Sequence, residues 1–189
     1  MSFQDPWLMA DRAGATYCSE AGEFSLPYCG EEYRITFPTG LVRKGTGTDE
    51  VPVSDSTLLV LYLGSASGLP PRGRWLSFIE LPGGPHHHAP FLQEAVYPVA
   101  KDFGRFPELL PVAASALGGK PAAFGKVGVV IPALPRIPLA VGVWPGDEEF
   151  LASAVILFDA SAPTQLDTAA LYVLGINTSR KLRARAQLK

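Results

Sequence analysis

Three consecutive histidines, His86-His87-His88, are the residues of this chain most suited to holding a transition metal. Neutral imidazole is a common ligand for such ions. Adjacent residues of an extended segment point in different directions, though, and a site usually draws its ligands from separate elements. The triplet follows Pro82-Gly83-Gly84-Pro85 and reads first as a polar loop after a turn. Cys18 and Cys29 could in principle converge on it, but they are too far apart for a C-x₂₋₄-C knuckle. No metal ligand is assigned. A second candidate is the acidic run Asp147-Glu148-Glu149, with Asp159 further on. Carboxylates meeting at strand ends could hold a divalent cation or divide the work of acid and base. The competing reading is a solvated acidic turn, with Asp159 bonding its own backbone.

Arg136 is the most informative single residue. It interrupts the apolar run Ile131–Val143 between two prolines. A guanidinium there needs a protein carboxylate or an anionic ligand. The expectation is a pair with Glu148, Glu149 or Asp159, or else an exposed hairpin tip. Trp75, Phe78, Trp144, Phe150 and Phe158 read as core rather than as a platform for bases. Neither Gly64-x-x-x-Gly68 nor Gly118-Gly119-Lys120-Pro121 has the spacing of a phosphate loop. A G-x-S-x-G elbow is missing as well.

The charge balance narrows the partners. The formal net charge is −2, whereas a nucleic-acid binder needs a basic surface. Lys and Arg gather only in Arg180, Lys181, Arg183, Arg185 and Lys189, which read as a solvated helix end suited to the helix dipole. The alternative for that run is a phosphate or membrane-surface contact. Met1–Arg12 lacks an apolar signal region, and no stretch approaches the ~20 apolar residues of a membrane span. We therefore expect a cytoplasmic protein with reduced thiols and neither nucleic-acid nor membrane partners.

The elements that must position these residues follow from periodicity. Hydrophobic residues make up 47% of the chain, enough for one core, while Gly 19 and Pro 18 imply many turns and short elements. Residues 1–22 read as an N-terminal segment, with Trp7–Met9 docking on the body, and residues 23–189 as one domain. Glu32–Phe37 alternates as a strand, Lys44–Asp49 is a turn, and Val51 and Val53 begin a return strand. Ser54 and Asp55 cap a helix bearing Leu58, Leu59, Tyr62 and Leu63. Trp75–Leu81 reads as a strand. Pro90–Phe103 is a helix distorted at Pro98, and Phe106–Leu117 is another. Val127–Leu134 and Ile137–Trp144 form a hairpin joined by Pro135-Arg136. Ala152–Phe158 is a strand, and Asp167 or Thr168 opens a last helix weakened at Gly175. Strands grouped as hairpins predict an α+β fold with a mainly antiparallel sheet.

Several of these segments together resemble one bacterial and archaeal family, the domain of unknown function numbered three-seven-eight-six. They are Glu32–Phe37, Leu58–Leu63 with Tyr62, Trp75–Phe78 leading to Leu81-Pro82-Gly83-Gly84, Leu134–Leu139, Trp144–Phe150 and Ile156–Asp159. The likeness spans about residues 20 to 175. It implies no established activity. Members occur largely in anaerobes, and some carry an iron–sulfur domain similar to that of corrinoid proteins, which this chain lacks. The histidine triplet stands where the family more often has an aromatic or another residue. Arg136, Asp147, Glu148 and Asp159 fall inside the shared motifs. The leading expectation is a non-enzymatic module binding a small ligand or serving a redox or corrinoid partner. Tyr62, Trp75 or Trp144 would line its pocket and Arg136 would anchor an anion. The alternative is a small metal-dependent enzyme using residues 147–149 and Asp159. The residues identify neither cofactor nor partner.

Overall fold

The computed structural model describes residues 4–47 and 50–186. Thr48 and Asp49 of the expected turn, and Lys189 of the basic run, lie outside the described residues. Two antiparallel sheets organise the chain. The first is a meander of β1 (Thr16–Cys18), β2 (Glu23–Tyr28), β3 (Glu31–Thr36) and β4 (Val42–Lys44). The second has the order β5-β9-β8-β7-β6, with β5 at Trp75–Ser77, β6 at Lys120–Pro121, β7 at Val127–Leu134, β8 at Ile137–Trp144 and β9 at Ser153–Asp159. The fold is therefore α+β, with two sheets where the sequence suggested one.

The β2–β3 hairpin turns on two residues with positive φ, Cys29 at 48° and Gly30 at 77°. That pairing gives the twist a two-residue hairpin needs. Gly30 has no substitute, because a Cβ there would lie 2.7 Å from the Leu117 carbonyl carbon. Phe24, Leu26 and Tyr28 alternate inward on β2, as do Tyr33 and Ile35 on β3. The Cys29 N–H donates to the Ala133 carbonyl at 3.0 Å and ties the hairpin to β7.

The helices are α1 (Pro6–Ala13), α2 (Val53–Ser65), α3 (His88–Phe91), α4 (Tyr97–Phe103), α5 (Leu109–Ser115), α6 (Ala162–Gln165) and α7 (Thr168–Arg185). A π-helical turn, Leu92–Val96, joins α3 to α4. Pro98 has no N–H to donate and its ring crowds the preceding turn; the widened turn, in which the Tyr97 N–H reaches the Leu92 carbonyl, absorbs this. Helix α1 caps itself with Asp5 and buries Met9, Ala10 and Ala13. Its Trp7 stays exposed, edge-on to Tyr17 of β1.

Three local expectations need correction. In place of a return strand at Val51 and Val53, Val51 and Pro52 lead into α2, which starts at Val53 and whose N-terminus has no side-chain cap. Asp55 is committed elsewhere, as described below. Trp75–Leu81 is a strand only to Ser77, after which Phe78–Glu80 turns as a 3₁₀ helix closed by a Ser77–Glu80 capping box. Helix α7 does not break at Gly175. A Cβ there would sit 2.6 Å from a ring carbon of Phe91, so the glycine lets the helix lie flat on Phe91 and Phe158.

Candidate functional site

The six residues singled out from sequence do not form one site. Tyr62 is fully buried; its hydroxyl donates to the Ala13 carbonyl at 2.9 Å and accepts from the Arg136 N–H at 3.0 Å. Burial raises the Tyr62 phenol well above its ordinary range. The Arg136 side chain reaches the Asp11 carbonyl at 3.2 Å and makes no ion pair among the described residues. The expected pairing with Glu148, Glu149 or Asp159 is thus overturned: a backbone carbonyl at the end of α1 supplies the acceptor.

Asp159 lies opposite Trp75 in the β5–β9 ladder. Its carboxylate accepts from the Arg72 and Gly73 amides at 2.9 and 2.7 Å and from the Ser161 amide and hydroxyl at 2.8 and 2.7 Å. Burial pushes its pKa up, but these donors outweigh it and hold the group below the usual carboxylate range. Its oxygens hold the chain entering β5 and leaving β9. Trp75 packs edge-on against Phe124. Asp147 folds back on its own loop, accepting from the Glu149 and Phe150 amides at 2.9 and 2.7 Å, and Glu148 points to solvent. Among the described residues no three His, Cys, Asp or Glu groups lie together as a metal site would need. His86 and His87 are exposed on a 3₁₀ turn and His88 is half-buried. Phe78 and Phe158 are core residues, whereas Trp144 and Phe150 are 42% and 70% exposed. Both flank the acidic loop, where the chain leaves the sheet.

The polar groups that do converge lie where α7 crosses the β2–β3 hairpin and the first turn of α2. Asp55 is at the centre. It accepts from the Tyr28 hydroxyl at 2.9 Å and the Asn177 amide at 2.8 Å, and pairs with Lys181 at 2.8 Å. The Asp55 side chain is only 5% exposed and that of Lys181 23%. The Lys181 ammonium also lies 4.8 Å from the centre of the Tyr28 ring and 3.4 Å from the Tyr33 hydroxyl. Tyr33 in turn faces Glu31, which pairs with Lys44 at 2.9 Å and with Arg185 at 2.5 Å. The Cys29 thiol sits 3.7 Å from the Thr178 hydroxyl. The basic run is therefore not a solvated helix end: Lys181, Arg183 and Arg185 are each paired, to Asp55, Asp102 and Glu31. Arg180 is exposed.

Two clefts flank Lys181. One, of about 270 Å³, is lined by Pro52, Ser54, Asp55, Asn177 and Arg180; the other, of about 300 Å³, by Cys29, Glu31, Lys44, Leu117 and Arg185. Lys181 and Ala184 form part of both walls. Five groups around them are moved from their ordinary values. Burial, with the charges of Cys29 and Asp55, drives the Tyr28 phenol far up. Burial raises the Tyr33 phenol and pushes the Cys29 thiol up to about 12. For Lys181 burial works downward, but the Asp55 partner prevails and raises its pKa. For Glu31 burial works upward, but Lys44 and Arg185 prevail and lower it. Each group is moved away from the neutral range where acid–base and nucleophilic catalysts operate. What the arrangement offers is fixed charge and hydrogen-bond donors.

No local pattern marks this cluster in the sequence. Asp55 carries the signature of a helix cap, and its partners lie 27 and 122 residues away. The one usable signal is the cationic face of α7, read above as solvated.

Among the described residues no helix is long and apolar enough to cross a membrane. Neither the curated proteins nor the solved structures contain a match to this chain. Residues 5–181 match the family model for Domain of unknown function (DUF3786), which covers nearly the whole sequence, and the chain belongs to that family.

Proposed function

We propose that this chain is a non-enzymatic binding protein for a small anionic ligand, taken up at the paired clefts beside Lys181. The observation that carries the reading is the local charge. The clefts present Lys44, Arg180, Lys181 and Arg185 against only Glu31 and Asp55, in a chain whose net charge is −2. Arg180 makes no ion pair among the described residues, and Arg185 uses one nitrogen of its fork, so donors stay free for carboxylate or phosphate oxygens. Arg180, Lys181 and Arg185 stand on α7 and Lys44 ends β4, so the donors sit on regular elements, which favours pre-formed binding over loop closure.

The same proposal keeps two finer expectations. A cytoplasmic location agrees with Cys18 and Cys29 both being free thiols. An accessory role beside an anaerobic redox or corrinoid partner would make the anion that partner's substrate or product.

Thermal shift and titration calorimetry with orthophosphate and with citrate test the reading. A ligand that binds only the folded chain stabilises it by about 2.7 kcal/mol at a hundred times its Kd. We expect the melting temperature of the native chain to rise with one of these anions. That rise is expected to disappear in the Lys44→Ala, Arg180→Ala, Arg185→Ala triple variant. A native chain that responds to neither anion at low ionic strength defeats the proposal.

A further inference from the structure

The two ends of the acidic loop border another cleft, remote in sequence from the two beside Lys181. Tyr97 and Lys101 of α4, and Arg105 just after it, form one wall. Gly146 and Leu151 of the β8–β9 loop form the other, and the cleft holds about 570 Å³. Leu151 is 94% exposed, and Phe150 beside it is also turned to solvent. The loop is not slack: Asp147 accepts from the amides of Glu149 and Phe150, and its own N–H donates to the Phe150 carbonyl at 2.9 Å. That clasp holds Phe150 and Leu151 outward. Two large side chains held in water by a braced loop are apolar surface kept for a partner.

The charges on the same patch identify the partner. Lys101 and Arg105 stand on the helix wall, and Glu148 and Glu149 on the loop; all four are exposed. Among the described residues none of the four makes an ion pair, with each other or with any neighbour. A surface carrying an acidic apolar projection and a basic cleft side by side is complementary to itself under a two-fold rotation. The geometry points to a symmetric dimer of this chain. In it the Glu148–Leu151 loop of each copy enters the Tyr97–Arg105 cleft of the other, with Leu151 covered and both pairs of opposite charge brought together.

A charge-swap experiment on the full chain tests this by analytical ultracentrifugation. Lys101→Glu with Arg105→Glu makes both halves of the patch acidic, and Glu148→Lys with Glu149→Lys makes both halves basic. Asp147 is kept so that the loop retains its clasp. The native chain is expected to dimerise in a concentration-dependent way. Each variant alone is expected to self-associate more than about tenfold more weakly, because like charges are forced together. An equimolar mixture of the two variants is expected to restore the dimer, as a heterodimer. Leu151→Ser is expected to weaken association without altering either charge. Three results overturn the proposal: a native chain that stays monomeric, a dimer indifferent to both charge reversals, or variants that fail to pair when mixed. A monomeric chain that instead sediments with phosphatidylserine vesicles overturns it in favour of a membrane surface.

Discussion

Replacing Lys181 by Met removes the cation opposite Asp55 while keeping most of the buried stem. Asp55 would then be an almost fully buried carboxylate supported only by the Tyr28 hydroxyl and the Asn177 amide. Breaking one partner of a buried pair costs ~3–5 kcal/mol. Lys181 is 23% exposed, so water can reach part of the gap, and two donors persist. These reduce the expected loss to ~2–3 kcal/mol. For a chain of this length that lowers the melting temperature by about 4–12 °C. Asp55→Asn keeps an acceptor for Tyr28, and the Lys181→Met, Asp55→Asn double variant removes both charges; the two single losses are therefore expected to exceed the double loss. The pH dependence has a definite sign. Lys181 has a raised pKa in the fold, so its pair contributes fully below the unfolded lysine value of ~10.4 and loses that contribution as pH climbs through the folded value. Native and Lys181→Met chains should differ by a constant amount near neutrality and converge in strong alkali. Calorimetry or circular dichroism melts across that range provide the measurement. A Lys181→Met chain melting within about 2 °C of the native one at pH 7 would refute the reasoning, since so small a shift corresponds to a solvated surface pair.

Other perturbations have equally definite outcomes. Asp159→Asn turns one acceptor oxygen into a donor facing backbone amides, and urea unfolding should show a loss of ~1–3 kcal/mol. The lowered pKa of Asp159 means this difference holds above the unfolded carboxylate value and vanishes as pH falls through the folded one. Gly175→Ala would stabilise an exposed helix by ~1 kcal/mol, yet here the methyl meets the Phe91 ring, and melting should reveal a net loss of ~1–3 kcal/mol. Thiol labelling at pH 8 should modify Cys18 quickly and leave Cys29 untouched until the chain is unfolded, because Cys29 is buried and its thiol is pushed up to about 12.

The sequence was most legible where one element decides its own geometry. The hairpin of β7 and β8 has the bounds expected from two apolar runs around Pro135-Arg136, and Asp167 caps α7 as its type and place suggest. Reading failed where a distant neighbour overrides the local preference. Gly175 costs the isolated helix about 1 kcal/mol, but Phe91 and Phe158 need the space. Asp55 has the type and position of a cap, but the charge of Lys181 and the hydroxyl of Tyr28 hold it. Arg136 reads as needing a carboxylate or an anion, but its guanidinium meets a carbonyl of α1 that no residue pattern marks. The site itself joins five elements, β2, β3, β4, α2 and α7, through a few side chains each, and periodicity carries no information about such meetings.

Helix α7 has a consequence for how this protein is made. Its residues reach back to Asp55, to Asp102 and, across 154 positions, to Glu31, and Gly175 seats it between two buried rings. Until the ribosome has released this helix, Asp55 of α2 and Asp102 of α4 lack their cations, Glu31 has only Lys44, and the rings of Phe91 and Phe158 lack their cover. The residues before 168 are therefore made with an incomplete core, and closure waits on contacts of great sequence separation, which form slowly. A message truncated just before residue 168 would yield an aggregation-prone chain rather than a smaller version of the protein, and quality control should remove it.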